Sequence, residues 1–288
     1  VREAVDDRVR EAMDALVNPI ASVELTDSGQ DDPQTWILYA TASGVEVGAV
    51  VDAADRVSVL SASSVQAQML ANSATAGDDQ VEFSVVLSRA EAWVLGALLD
   101  LQRRSALVAA AAQETVDITL APTVIDLQAL IDVLDTLARP ENRESGIAVL
   151  ADKPAWTVLW LLCGLNVPEP LSRSTIDGSL GKLAALGLVV TDNDDTVTLA
   201  PHVASFANRF LLTQHLAFLS TRHDRDDTVD DDELVCCRSD AAALCLVIDP
   251  EAPETIHLLG GQPGLWPALV NEAASHLRPL RTLRSAAP

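Results

Sequence analysis

Two stretches near opposite ends of this chain echo each other, and that repetition constrains the fold more than any other feature. Ile37-Leu38-Tyr39-Ala40 lines up with Leu234-Val235-Cys236-Cys237, and at the same offset Val47–Asp52 lines up with Leu244–Asp249. After the aspartate, each copy runs through a polar turn into a third apolar run, Arg56–Leu60 and Thr255–Leu259. An alanine- and leucine-bearing, helix-like stretch follows in each, Ser63–Ala74 and Gly264–Leu277. Short apolar runs bounded by turn residues read as strands. The expectation is an α+β protein in which two similar strand-strand-strand-helix units from the chain ends bracket a helical middle. If the units join edge to edge, each buries an edge that would otherwise stay open.

The middle carries strong helical periodicity. Ser88-Arg89-Ala90-Glu91 is a capping box, in which serine and glutamate side chains satisfy amides at a helix start. After it, Ala90, Trp93, Val94, Ala97, Leu98 and Leu101 fall on one face. Thr123–Asp126 opens a second helix with Leu127, Leu130, Ile131, Leu134 and Leu137 inward, ended by Arg139-Pro140. Further helices are expected at Glu3–Val17, Trp156–Leu162 and His202–Ser220, and Val81–Leu87 adds a strand. Ser28–Pro33 and the acidic run Arg222–Glu233 read as surface loops, and Pro279–Pro288 as a frayed tail. These boundaries divide the chain into 1–87 (helix plus first strand unit), 88–150 (helical), 151–220 and 234–280 (second strand unit).

Composition narrows the function classes. Hydrophobic residues make up 49% of the 288, enough for a substantial core. No apolar run approaches the ~20 residues that span a bilayer, and the N-terminus lacks an apolar signal core. The expectation is therefore a cytoplasmic protein with no membrane insertion. A formal charge of −23 repels nucleic acid and anionic membranes and attracts a neutral or basic partner. Cys163, Cys236, Cys237 and Cys245 form no CxxC and no zinc spacing with histidine. Cys236 and Cys237 are neighbours in an apolar strand and point to opposite faces, as buried free thiols of a reducing compartment do.

Segment 151–200 has winged-helix-like order. A helix at Ser174–Leu186, with Ile176, Leu180 and Leu183 inward, stops at Gly187. A hairpin follows, Leu188–Val190 and Thr196–Leu199, around the turn Asp192–Asp195. A DNA-reading version of this module aims cations at bases and phosphates. Here Arg173 and Lys182 are the candidate contacts, while Asp177, Asp192, Asp194 and Asp195 oppose them. Glycines 260, 261 and 264 fit a tight turn. The acidic run fails as a calcium loop, with Val229 and Val235 where glycine and glutamate belong. His202 sits at a helix start as a cap would. No nucleophile, base and orienter occur in a recognisable pattern, and no nucleotide loop is present. The reading is a non-enzyme with no metal and no cofactor.

One resemblance spans 155–275. The progression Val158-Leu159-Trp160-Leu161-Leu162-Cys163-Gly164-Leu165-Asn166-Val167-Pro168-Glu169-Pro170-Leu171, then Leu183–Val189, a helix at Val203–Leu219, and strands ending at Leu259 resembles the EspG-type chaperones of actinobacterial type VII secretion. The resemblance implies a quasi-two-fold body of sheet and helices that binds PE–PPE-type secretion substrates without catalysis. It carries over no contact residue.

The functional expectation is a cytoplasmic, non-catalytic protein-interaction module, a secretion chaperone or adaptor, with a homodimer left open. The alternative is a winged-helix transcriptional regulator whose flanking units dimerise or sense a ligand. At micromolar protein and near-physiological salt, fluorescence anisotropy with random duplex DNA should show no saturable binding. Salt-sensitive binding that Arg173→Ala or Lys182→Ala abolishes would establish the regulator instead.

Overall fold

The computed structural model describes residues 19–27, 34–41, 46–74, 78–111, 122–139, 169–193, 195–210, 215–225, 228–248, 252 and 254–276. The helices expected at Glu3–Val17 and Trp156–Leu162, the loop Ser28–Pro33, Cys163 and the tail from Pro279 lie outside them. The described residues form an α+β fold around a nine-stranded antiparallel sheet. Four strands come first: β1 (Ala21–Asp27), β2 (Gln34–Ala40), β3 (Glu46–Val51) and β4 (Val57–Ser61), followed by helix α1 (Ala62–Ser73) and strand β5 (Val81–Ser88). Near the other end, β9 (His215–Arg225), β10 (Thr228–Arg238), β11 (Ala243–Ile248) and β12 (Thr255–Gly261) repeat the pattern and lead into α6 (Leu265–His276). The sheet order is β4-β3-β2-β1-β9-β10-β11-β12-β5.

Each repeat thus has four strands rather than three. The strand that the sequence reading passes over in each, β1 and β9, makes the joint. Their antiparallel register runs from Ala21↔His223 to Asp27↔Ala217 and is symmetric about the pair Leu25↔Leu219, so Val23↔Thr221 exchanges with Asp27↔Ala217. A local two-fold normal to the sheet passes through that pair.

The repeat also corrects the ungapped match by one residue. Leu38 pairs with Gly48, and Cys236 pairs with Cys245. With Gly48 matching Cys245, Leu38 therefore corresponds to Cys236, not to Val235. The cause is loop length: residues 41–45 separate β2 from β3, but 239–242 separate β10 from β11. A one-residue slip swaps the faces of a strand. The structural match restores the pattern, with Trp36 and Leu38 buried like Leu234 and Cys236.

Two corrections concern the C-terminal half. The helix expected over His202–Ser220 ends early, as α5 (Pro201–Arg209), and β9 begins at His215. The inward side of β9 is Ala217, Leu219, Thr221 and His223, a mixed set in which alanine and leucine imitate helical composition. The acidic run Arg222–Glu233 is not a loop but the paired ends of β9 and β10, with Arg222 opposite Asp231. Ladder hydrogen bonds hold these strands where side-chain periodicity gives no sign of them.

The sheet has two unequal faces. On one, α1 and α6 lie over Val23, Leu25, Trp36, Leu38, Leu219, Leu234, Cys236 and Cys245. Gly48 is required here, because a Cβ would stand 2.3 Å from a Val65 methyl of α1. On the other face, the helical middle covers β5, β12 and β11. Its centre is α2 (Arg89–Ala111), which packs against α3 (Leu127–Leu137), α4 (Arg173–Ala185) and α5. The expected capping box is present: the Ser88 amide donates to Glu91 Oε2 at 2.9 Å, and the Glu91 amide to Ser88 Oγ at 3.4 Å. The sequence implies a single buried face, but every residue from Glu91 to Asp100 is buried, Trp93 among them. Asp126 caps α3, accepting from the Gln128 and Ala129 amides. Strands β6 (Ile125–Asp126), β7 (Val189–Asn193) and β8 (Thr196–Leu199) form a small second sheet in the order β6-β8-β7.

The glycines at 260 and 261 belong to β12 rather than to a turn. A Cβ on Gly260 would come within 2.2 Å of the Phe83 ring, and one on Gly261 within 2.5 Å of the Gln80 carbonyl. Their role is to let β5 approach. Cys236 and Cys237 face opposite sides, one in each core, as their adjacency requires.

One buried arginine ties the two repeats together. Arg238, at the end of β10, reaches across β9 and donates from Nη2 to Asp27 Oδ2 of β1 at 2.8 Å. Its Nη1 donates to the Ser73 carbonyl at the C-terminal end of α1 at 3.2 Å, where the helix dipole favours a cation. The guanidinium also lies 5.8 Å from the ring centre of Trp266 on α6. Removing one partner of a buried pair strands the other. Arg238→Met should therefore cost roughly 3–5 kcal/mol in urea denaturation, and Asp27→Leu added to it should recover much of that loss. A single-variant loss below about 1 kcal/mol would show the pair to be worth no more than a surface one.

Candidate functional site

Arg173 and Lys182, the candidate DNA contacts, both lie on α4, whose start is capped by Ser172 Oγ accepting from the Thr175 amide at 3.1 Å. Arg173 donates from Nε to Asp177 Oδ1 at 2.9 Å, one turn along the same helix. Lys182 places Nζ 2.8 Å from Glu91 Oε1, pinning α4 to the start of α2. Burial pushes the Glu91 carboxyl up, but hydrogen bonds from Lys182 and Ser88 outweigh it and leave the pKa below its ordinary value. Each cation already holds a carboxylate, so this helix presents little net positive charge. Asp195 is exposed at the hairpin turn, and the side chains of Asp192 and Asp194 lie outside the described residues. His202 is exposed in the first turn of α5, where Ala200 holds the cap position and makes no side-chain cap bond. It does not cap the helix.

Other buried ionic groups are tied up in the same way. Asp100 and Arg103 pair at 3.1 Å under the helical layer, and burial lowers the Arg103 pKa. Glu82 bonds both Arg209 and Gln262. The Gln102 amide group bridges Asn208 Oδ1 at 2.9 Å and the Thr123 amide at 2.7 Å. Cys236 and Cys245 face each other, with Sγ atoms 2.8 Å apart, and burial pushes the Cys236 and Cys237 thiols well up. They are inert thiols at neutral pH. Among the described residues, no three His, Cys, Asp or Glu side chains gather as metal ligands would.

Among the described residues, a shallow groove of about 190 Å³ lies on the sheet face opposite α1 and α6, where β1, β9 and β10 meet. It straddles the two-fold. Register places Thr26, Phe218 and Val235 side by side in one row, and Glu24, Ser220 and Glu233 in the next. Phe218 is 43% exposed. Glu24 and Glu233 flank Ser220, about 10 Å apart from strand spacing, and neither forms an ion pair among the described residues. Desolvation raises the Glu24 pKa. Tyr39 beside it is raised by burial first and by the Glu24 charge second. An apolar row next to an acidic row suits a protein segment with an apolar anchor and a basic neighbour.

None of these groove residues stands out in the sequence. Reading 202–220 as helix hides the alternation of Ala217 and Leu219 with Phe218 and Ser220, and that alternation is the signal that could have exposed the site. Glu24 is likewise visible only once Val23 and Leu25 are seen to point the other way.

No protein-family model matches the chain, and no curated protein matches it. Among solved structures, the Mycobacterium tuberculosis type VII secretion system chaperone EspG5, in complex with a PE25–PPE41 dimer, aligns at a TM-score of 0.34 and 14% identity. The alignment covers 94% of this chain and 76% of that one. A likeness at that level carries no argument about what this chain does. Among the described residues, no helix is long and apolar enough to cross a membrane.

A raised carboxyl pKa has a stability consequence of definite sign. The folded state holds the Glu24 proton more tightly than the unfolded chain, whose value is near 4.5. Stability therefore falls as pH rises from there through the folded pKa. Glu24→Gln should stabilise the protein at pH 7, with the gain vanishing below about pH 4.5, as followed by thermal melts across pH. Destabilisation at pH 7 would mean that Glu24 has a structural partner.

Proposed function

We propose that this chain is a non-catalytic protein-binding module, acting in the cytoplasm as an adaptor or secretion chaperone, and that its partner docks at the groove over the β1–β9–β10 joint. The observation that carries the reading is an exposed Phe218 beside two carboxylates that have no ion-pair partner among the described residues, one of them held at a raised pKa. A partner presenting an apolar side chain beside lysine or arginine satisfies both rows at once. The net charge of −23 steers such a segment inward. The non-catalytic part is supported by the engagement of Arg238, Arg103, Arg209 and Lys182 with carboxylates, which leaves these cations committed to the fold. The cytoplasmic part is supported by the buried free thiols at 236, 237 and 245. The finer form, a chaperone of PE–PPE-type substrates, is supported by the sequence pattern across 155–275 alone. The winged-helix regulator has no specific observation in its favour, since Arg173 and Lys182 are both paired.

The test is affinity capture from lysate of the native host with the full chain as bait, followed by mass spectrometry. The variants Phe218→Asp and Glu24→Lys with Glu233→Lys run beside it, with circular dichroism as the folding control. A partner held by the wild-type chain and lost by both variants is the expected outcome. A partner held equally by folded variants would move the site elsewhere, and turnover of any captured small molecule would end the non-catalytic reading.

A further inference from the structure

β4 and β12 hold matching places in the two repeats. Each is the fourth strand, paired with the third strand of its unit through Gly48↔Leu60 and Cys245↔Leu259. Their outer edges are treated differently. β12 is covered by β5, which runs antiparallel and sets Leu87 opposite Ile256 and Val85 opposite Leu258. Among the described residues β4 ends the sheet, and all five of its residues are exposed, Val57 at 61% and Val59 at 51%. Edge strands ordinarily discourage pairing with a charge, a proline or a bulge. Val57-Ser58-Val59-Leu60-Ser61 has no charge and no proline, and it pairs with β3 in unbroken register. In the turn just before it, Arg56 pairs with Asp52 at 2.7 Å and Asp55 is exposed, so the only charge that turn adds beyond the pair is an acidic one.

We propose that the outer edge of β4 is a docking site for an extended segment of a partner protein, added antiparallel as β5 is added to β12. This rests on the protein-binding reading and assigns it a second contact surface. The internal copy specifies the occupant. Apolar, preferably β-branched side chains stand opposite Val57 and Val59, as Leu87 and Val85 stand opposite Ile256 and Leu258. Opposite Ser61 the side chain is small. The matching residue in β12 is Gly260, whose missing Cβ admits the Phe83 ring. Ser61 has a Cβ, and its Oγ is committed to accepting from the Ser64 amide of α1 at 3.2 Å. The segment is neutral or basic, because the chain it joins carries −23. The same charge argues against a second copy as occupant. So does area: a pair of five-residue strands falls well short of the roughly 1,200 Å² at which stable interfaces begin.

The probe is a fluorescent, lysine-flanked peptide with the sequence of Val81–Ser88 carrying Phe83→Ser, titrated into the full chain. Saturable binding is expected, weakened at least ~10-fold, or about 1.4 kcal/mol, when Val57→Glu and Val59→Glu are introduced together. Glutamate is chosen so that a loss cannot be read as repulsion of a basic probe. Binding should survive Phe218→Asp. Absence of saturable binding, or binding indifferent to the β4 variants, overturns the proposal. So does a concentration-dependent dimer in sedimentation that the same glutamates abolish, which would make a second copy the occupant. If the peptide fails while a partner is still captured through Phe218, the edge proposal falls alone. If the peptide binds through β4 while capture fails, the edge stands and the groove does not.

Discussion

Everything in this fold hangs on the pairing of β1 with β9. Each repeat is a four-stranded sheet with one helix on one face, and such a unit has an open first strand whose amides and carbonyls lack partners. Joining the first strands antiparallel closes both edges with a single ladder, from Ala21↔His223 to Asp27↔Ala217. It also brings α1 and α6 to the same face, where they share one core with Trp36, Leu219 and Trp266. Arg238 locks the arrangement. Its hydrogen bonds run to Asp27 and Ser73 in the first repeat, and its ring contact is with Trp266 in the second. A buried cation is costly unless it is paired. Its three partners converge in this way when both repeats are docked, so Arg238 rewards one particular joint.

The two halves of the sheet then diverge. The helical middle settles on the second repeat, where β5 crosses from the first half of the chain to lie beside β12 and α2 is enclosed by α3, α4 and α5. Gly260 and Gly261 are what make this crossing sterically possible. The first repeat has Ser61 in the matching place and, among the described residues, no added strand. The two repeats thus differ at Gly260 and Gly261 against Ser61 and Ala62, and in the strand that β12 alone gains among the described residues.

Charge distribution follows from the same economy. The chain is acidic in bulk, yet several of its cations sit in short contacts with carboxylates: Arg238 with Asp27, Arg103 with Asp100, Lys182 with Glu91, Arg209 with Glu82. On α4 both Arg173 and Lys182 are held by carboxylates, Asp177 and Glu91, so the helix presents little net positive charge. At the groove, carboxylates of Glu24 and Glu233 stand beside the exposed Phe218.

The sequence by itself determined that the two ends repeat, the helices that follow Ser88 and Asp126, and the opposite facing of Cys236 and Cys237. These are properties of local hydrophobic period and of capping chemistry such as Ser88–Glu91, and neighbours a few residues apart decide them. It also carried the capped starts of α2 and α3 and the left-handed Gly187 that ends α4 (φ +72°). Only the tertiary structure decided that β9 and the acidic end of β10 are strands, because their ladder partners lie far along the chain, the short alternation at 217–220 is masked by a helix-like composition, and the acidic ends are polar on both faces. It alone decided the one-residue offset between the β2 and β10 copies, since a loop one residue shorter is invisible until cross-strand partners are known. The groove was equally beyond local reading. Glu24, Phe218 and Glu233 are close together solely because β1, β9 and β10 are adjacent in the sheet, and strand adjacency is set by which edges are left to pair.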